Sequence, residues 1–131
     1  MTFFPSLINL CAQQMVMFKF ILRREKPGSH WLLHIVQGER GRRNVQFFDS
    51  FGHSPAYYKI QTPPFRISAA NHVQVQPDGS SLCGLYCLYV YYHRLRKRSF
   101  GSIMKDFSKF NKRRNDIRVL KFFKKLNYKF E

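Results

Sequence analysis

The sequence reads as an α+β chain, with its strands in the first half and its helices in the second. Before residue 77 the apolar residues fall in short runs broken by Gly, Pro and polar turns, as strands do. After residue 82 they fall in one longer run and then at spacings of three and four, as helices do. At 131 residues the chain suggests a single domain over 1–131, and 44% apolar with 17% aromatic residues excludes a disordered chain.

Residues 1–20 are mostly apolar but interrupted by Asn9, Gln13 and Gln14. That interruption and the lack of a positive leading segment argue against a signal peptide. A short helix leading into a strand over Met15–Leu22 is expected instead. Arg23–Ser29 is a charged turn, His30–Gln37 a strand, Gly38–Arg43 a hairpin turn and Asn44–Asp49 the returning strand. In such a hairpin the start of one strand lies beside the end of its partner, so His30 and Asp49 become neighbours. Gly52–Lys59 reads as a loop into a short helix, with Ser54 as cap and Pro55 at the first helical position. Gln61–Ile67 holds Pro63-Pro64 and reads as a loop or an edge. Asn71–Gln76 alternates polar and apolar residues and reads as a short strand delivering Gln76.

The stretch from Gln76 to Cys87 begins as a polar turn and ends as an apolar helix. Ser80 and Ser81 are suitable N-caps for a central helix over Cys83–Arg96, whose Tyr86, Tyr89, Tyr91 and Tyr92 fit a core. A second helix is expected over Ser102–Phe110, with Ile103, Phe107 and Phe110 inward. A third should be capped by Asn115-Asp116, with Ile117, Leu120 and Phe123 inward.

Charge bounds the partners. Lys and Arg number 23 against 7 Asp and Glu, a formal charge of +16. The basic helical part over 94–131 alone carries 14 basic residues against 3 acidic ones. Such a field attracts polyanions, nucleic acid first among them, and Lys112, Arg113, Arg114, Lys121, Lys124 and Lys125 are the candidate contacts. Three cysteines, Cys11, Cys83 and Cys87, do not make a secreted disulfide scaffold. The Cys83–Cys87 spacing is not the usual zinc spacing, so no metal is expected. The apolar runs are too short for a membrane span.

The chemistry-bearing residues arrive as a His, an acid, a Gln and a Cys. Cys83 opens a helix, where free N–H groups and the helix dipole favour a thiolate. A cysteine hydrolase also needs a base, a group that orients the base and a donor for the oxyanion. His30 and His34 share a strand face and both qualify as the base by spacing. Gln76 and Gln74, two residues apart, both qualify as the donor.

This pattern resembles the adenovirus-type cysteine proteases, the proteases of virus-like DNA transposons and the related SUMO-specific proteases. The family's His-Trp pair matches His30-Trp31, and its acid in an aromatic-flanked turn matches Asp49 in Phe48-Asp49-Ser50-Phe51-Gly52. Its oxyanion Gln and helix start match Gln76, Ser80, Cys83, Gly84, Tyr86 and Cys87. The likeness covers roughly residues 27–110, so the chain is short before His30 relative to that family. It implies a papain-like α+β fold, with a small mixed sheet packed on a central helix that carries the nucleophile. It also implies a cysteine endopeptidase using His30, Asp49, Gln76 and Cys83. The substrate would be a virus- or transposon-encoded precursor cleaved after Gly, held in a narrow tunnel at Trp31 and Gly84. No cofactor is required, and DNA is implied as an activator. The alternatives are removal of a ubiquitin-like modifier and an inactive, nucleic-acid-binding relative. An intracellular, nuclear or virion-associated monomer is expected.

Overall fold

A computed structural model describes residues 18–24, 30–37, 44–58 and 66–130. The expected N-terminal helix and the Gly38–Arg43 turn lie outside the described residues. Four strands, β1 (Phe18–Arg24), β2 (Trp31–Gln37), β3 (Asn44–Phe48) and β4 (Arg66–Ala70), form one sheet in that order. The first three pair antiparallel and β4 joins β3 in parallel, so the sheet is mixed. The β2–β3 hairpin matches its sequence pattern, with Leu33 opposite Phe48 and Gln37 opposite Asn44. His30 and Asp49 sit just beyond the ends of their strands. A single 3-10 turn, Pro55–Tyr58, occupies the place of the expected short helix. Three helices follow: α1 (Cys83–Leu95), α2 (Phe100–Met104) and α3 (Lys112–Phe130). Among the described residues no helix is long and apolar enough to cross a membrane.

The core lies between the sheet and α1. Leu33, Ile35 and Phe48 pack with Tyr86, Cys87, Tyr89, Val90 and Tyr91 of α1, with Phe100 and Ile103 of α2, and with Val119 of α3. Three of the four helix tyrosines are buried and Tyr92 is half-buried, as a core role requires. Arg98, after α1, grips Asp106, after α2, in a two-pronged ion pair at 2.7 and 3.0 Å.

Several expectations need correction. Arg66–Ala70 is the edge strand β4, so the loop-or-edge reading of Gln61–Ile67 resolves to an edge at Arg66 and Ile67, and the strand runs on to Ala70. Asn71–Gln76, read as a strand, is not one. Its N–H groups do not enter a ladder: both Val75 N and Gln76 N donate to the single carbonyl of Ser50, at 2.9 and 3.0 Å. Helix α1 is capped by Leu82 with no side-chain cap, because Ser80 Oγ instead accepts from Leu82 N at 3.3 Å, just outside the helix. Helix α2 starts earlier than expected, with Ser99 accepting from Ser102 N, and ends at Met104. Phe110 falls beyond it and is 97% exposed. Helix α3 starts three residues before Asn115, with Asn111 Oδ1 accepting from Arg114 N. That earlier start sets a different inward face: Asn115 and Val119 are buried, while Ile117 and Leu120 are 52% and 49% exposed. Phe123 is half-buried and packs on the core.

The chain turns sharply after β3. Gly52 N donates to the Asp49 carbonyl at 2.8 Å, and Gly52 has φ +79°, a conformation that disfavours a side chain. A Cβ there would stand 2.6 Å from Gln74 N and 2.7 Å from the Val73 carbonyl carbon, both backbone atoms. Gly79 has φ +81° but open space around it. Gly52→Ala should therefore cost about 2–4 kcal/mol, combining backbone strain with overpacking. Gly79→Ala should cost only about 1 kcal/mol. Urea midpoints of the two variants check this; equal shifts would contradict the close backbone approach.

Candidate active site

Asp49 is the fixed point of the site. Its side chain is 0% exposed, yet every approach to it is satisfied. His30 Nε2 donates to Oδ1 at 2.5 Å and Phe51 N to the same oxygen at 2.9 Å. His53 N and the Tyr58 hydroxyl donate to Oδ2 at 3.1 and 2.6 Å. Burial alone would raise the Asp49 pKa, but the bonds from His30, Tyr58 and Phe51 hold it below the usual carboxylate range. Asn71 clamps the same residue by its backbone: its Oδ1 accepts from Asp49 N at 2.9 Å, and its Nδ2 donates to the Asp49 carbonyl.

His30 lies against the Phe51 ring at 4.7 Å and stacks over Tyr58 at 6.1 Å. Because Nε2 serves Asp49, the other ring nitrogen is the one free to exchange a proton. Nδ1 is buried without a hydrogen-bond partner among the described residues. His30 and Cys83 each shift the other's titration toward the charged form. Burial would depress the His30 pKa, but Asp49 and Cys83 outweigh it and lift it from 6.5 to about 9. Burial would likewise raise the Cys83 thiol, but His30 and the backbone of Trp31 and Gly84 bring it below its ordinary value. The arrangement favours a thiolate beside an imidazolium.

The competing histidine is placed elsewhere. His34 stands opposite Phe47 across the hairpin, ring edge to ring at 4.9 Å, while the Asp49 oxygen goes to His30. His53 and His72 are exposed and His93 is half-buried, as isolated histidines usually are. Cys87, four residues from Cys83, is fully buried and its thiol donates to the Trp31 carbonyl at 3.4 Å. Burial pushes its pKa well up, so it behaves as core. No group of three or more metal-ligating side chains occurs among the described residues.

Gln76 is 0% exposed. Its Oε1 accepts from Ser50 Oγ at 2.5 Å and its Nε2 donates to the Ser80 carbonyl at 2.8 Å. One of the two amide hydrogens therefore remains uncommitted among the described residues. Gln74 is committed on both: its Nε2 donates to the Gln76 carbonyl and to Asp78 Oδ1, each at 2.8 Å. It holds the loop and has no hydrogen left for an oxyanion. Gly84 faces the Trp31 indole, where an added Cβ would lie 3.4 Å from Cδ1. Anything larger than Ala at this position would press on the indole.

Ser50, Tyr58 and Asn71 bond directly to Asp49 or Gln76, and spacing does not reveal them. They are polar residues in turns, and only their contacts distinguish them. The six basic candidates all lie on α3 but not on one face. Arg114, Lys121 and Lys125 line a shallow groove of about 370 Å³ together with Arg118, Tyr89, Ile117 and Phe122. Arg113 and Lys124 are exposed around the helix, and Lys112 is half-buried.

Comparisons of the chain with protein-family models, with curated proteins and with solved structures found no significant match.

In the folded chain the His30 pKa is lifted from its ordinary 6.5 to about 9, so its protonation stabilises the fold. That contribution is complete below about pH 6.5 and disappears as pH rises through about 9. An NMR titration of His30 should show a midpoint near 9 in the wild type, and a clearly lower one in Asp49→Asn. An unchanged midpoint in the variant would contradict the pairing.

Proposed function

We propose that this chain is a cysteine endopeptidase of the adenovirus-protease type. The observation that carries it is the buried His30–Asp49 pair at 2.5 Å, with the second ring nitrogen left for Cys83 at the start of α1. The likeness to that family rests on the residues of the site and their order along the chain. A mixed sheet packed on the helix that opens with the nucleophile is consistent with the papain-like fold the likeness implies.

Each residue has a chemical task. His30 Nδ1 takes the proton of Cys83, while Asp49 orients the ring through Nε2 and stabilises its positive charge. The Sγ thiolate attacks the scissile carbonyl, forming a C–S bond and an oxyanion. The free N–H of Gln76 and the backbone N–H of Cys83 donate to that oxyanion. As the tetrahedral intermediate collapses, the C–N bond breaks and His30 gives its proton to the leaving amine. Water, deprotonated by His30, then attacks the thioester and releases the carboxylic acid and the thiol. Trp31 over Gly84 leaves little room beside the nucleophile, which suits a substrate with Gly before the cleaved bond. Virus- or transposon-encoded precursors are the proposed substrates.

The proposed second partner is nucleic acid, carried by the basic face of α3. Arg114, Arg118, Lys121 and Lys125 recur at spacings of four and three, so they form one stripe, with Tyr89 and Phe122 beneath it. If that stripe tracks a phosphate backbone, Arg118→Ala and Lys121→Ala should each lower the salt dependence of duplex DNA binding by about one in log–log slope. Unchanged slopes would remove the stripe from the interface.

A vinyl-sulfone peptide ending in Gly-Gly should label the wild type and not Cys83→Ala, faster with DNA present. Gln76→Ala should lose about 10²–10³ in peptide turnover. A folded wild type that stays unlabelled would sink the hydrolase and leave a polyanion-binding domain. Labelling indifferent to DNA would keep the enzyme and dismiss the activator. Preferred turnover of modifier conjugates over Gly-Gly precursor peptides would shift the substrate to a ubiquitin-like protein.

A further inference from the structure

The loop that carries Gln76 is held from a direction the proposed triad does not use. Asp116, on the first turns of α3, accepts from Ser80 Oγ at 3.1 Å and from the Tyr86 hydroxyl at 2.7 Å, both on Oδ1. Asn115 beside it is buried, and its Nδ2 donates to the Val75 carbonyl at 2.8 Å. Ser80 is the junction of these bonds. Its carbonyl takes the Gln76 amide, and its hydroxyl oxygen takes Leu82 N, the residue that caps α1. Displacing Ser80 would therefore move the acceptor of the Gln76 amide. It would leave the bonds of Asp49 and His30 untouched.

We infer that Asp116 is a positioning residue for the oxyanion hole, acting through Ser80 on the Gln76 amide. The inference rests on the hydrolase proposal and adds α3 to its machinery. Asp116 touches no reacting atom. Its carboxylate fixes the Ser80 hydroxyl, which orients the Ser80 peptide and so the acceptor for Gln76. A small error in the position of a donor costs rate without costing substrate binding.

The test compares wild type, Asp116→Ala, Asp116→Asn, Ser80→Ala and Tyr86→Phe, all as the full chain. Two readouts are used: steady-state turnover of a Gly-Gly peptide and the pH profile of Cys83 alkylation by iodoacetamide. Asp116→Ala and Ser80→Ala should each lower kcat about tenfold with KM little changed. The double variant should lose no more than either alone, since both remove one link. Asp116→Asn keeps an acceptor oxygen and should recover most of the rate. Tyr86→Phe should lower thermal stability and spare kcat. The alkylation profile should stay as in wild type throughout, because the thiolate–imidazolium pair is intact.

Wild-type kcat in Ser80→Ala would overturn the inference, even if Asp116→Ala fails to fold. Additive losses in the double variant, or an alkylation profile displaced toward that of an ordinary thiol, would overturn it as well. A wild type that alkylates like an ordinary thiol and turns over no peptide would overturn the hydrolase proposal and this inference with it.

Discussion

A carboxylate taken out of water must have its lone pairs met by the protein, and Asp49 meets that demand from four directions. The residue ends β3, and its two oxygens collect an imidazole, two backbone N–H groups and a phenol. Left unpaired, such a charge would cost several kcal/mol, so the turn has little freedom to adopt another shape. The left-handed Gly52, the backbone clamp of Asn71 and the stack of His30 on Phe51 and Tyr58 all follow from satisfying this one group. Ser50 carries the same order outward, since its carbonyl and its hydroxyl both bind the stretch that delivers Gln76.

Helix α1 shows how environment separates two identical side chains. Cys83 and Cys87 sit one turn apart on the same helix. The first meets an imidazole and the backbone at an uncapped helix start, where negative charge is favoured. The second is sealed in the core, where burial and the nearby charges of Cys83 and Asp49 oppose ionisation. One thiol is thereby suited to chemistry and the other to packing.

The parts of this arrangement visible in the sequence are those governed by local pattern. The β2–β3 hairpin follows from apolar runs around a Gly-rich turn, and with it the adjacency of His30 and Asp49. The start of α1 at Cys83 follows from a polar turn giving way to an apolar run. Other parts depend on long-range satisfaction of polar groups. Asn71–Gln76 alternates like a strand, but a single distant carbonyl takes two of its N–H groups and removes it from the sheet. Arg66–Ala70 pairs in parallel with β3 across a long connection, and parallel pairs leave no hairpin signal. The inward face of α3 differs from the expected one because Asn115 resembles a cap in the sequence. It is instead a buried helical residue, and Asn111 takes the capping role. Tyr58 and Asn71 have the sequence character of ordinary loop residues, and only their bonds to Asp49 set them apart.

The bonds that build the site are also distant along the chain. His30 reaches Asp49 across 19 residues, Ser50 reaches Gln76 across 26, Tyr86 reaches Asp116 across 30 and Asn115 reaches Val75 across 40. None can be made by a local segment collapsing alone, and contacts of long sequence separation form late and together. A chain still emerging during synthesis, or caught half-folded, thus presents an ordinary cysteine without its imidazole neighbour. The His30–Asp49 pair and its effect on Cys83 exist only once β2, β3 and α1 have come together, so the topology itself keeps the thiol an ordinary one through the period when unfolded chain lies nearest to hand.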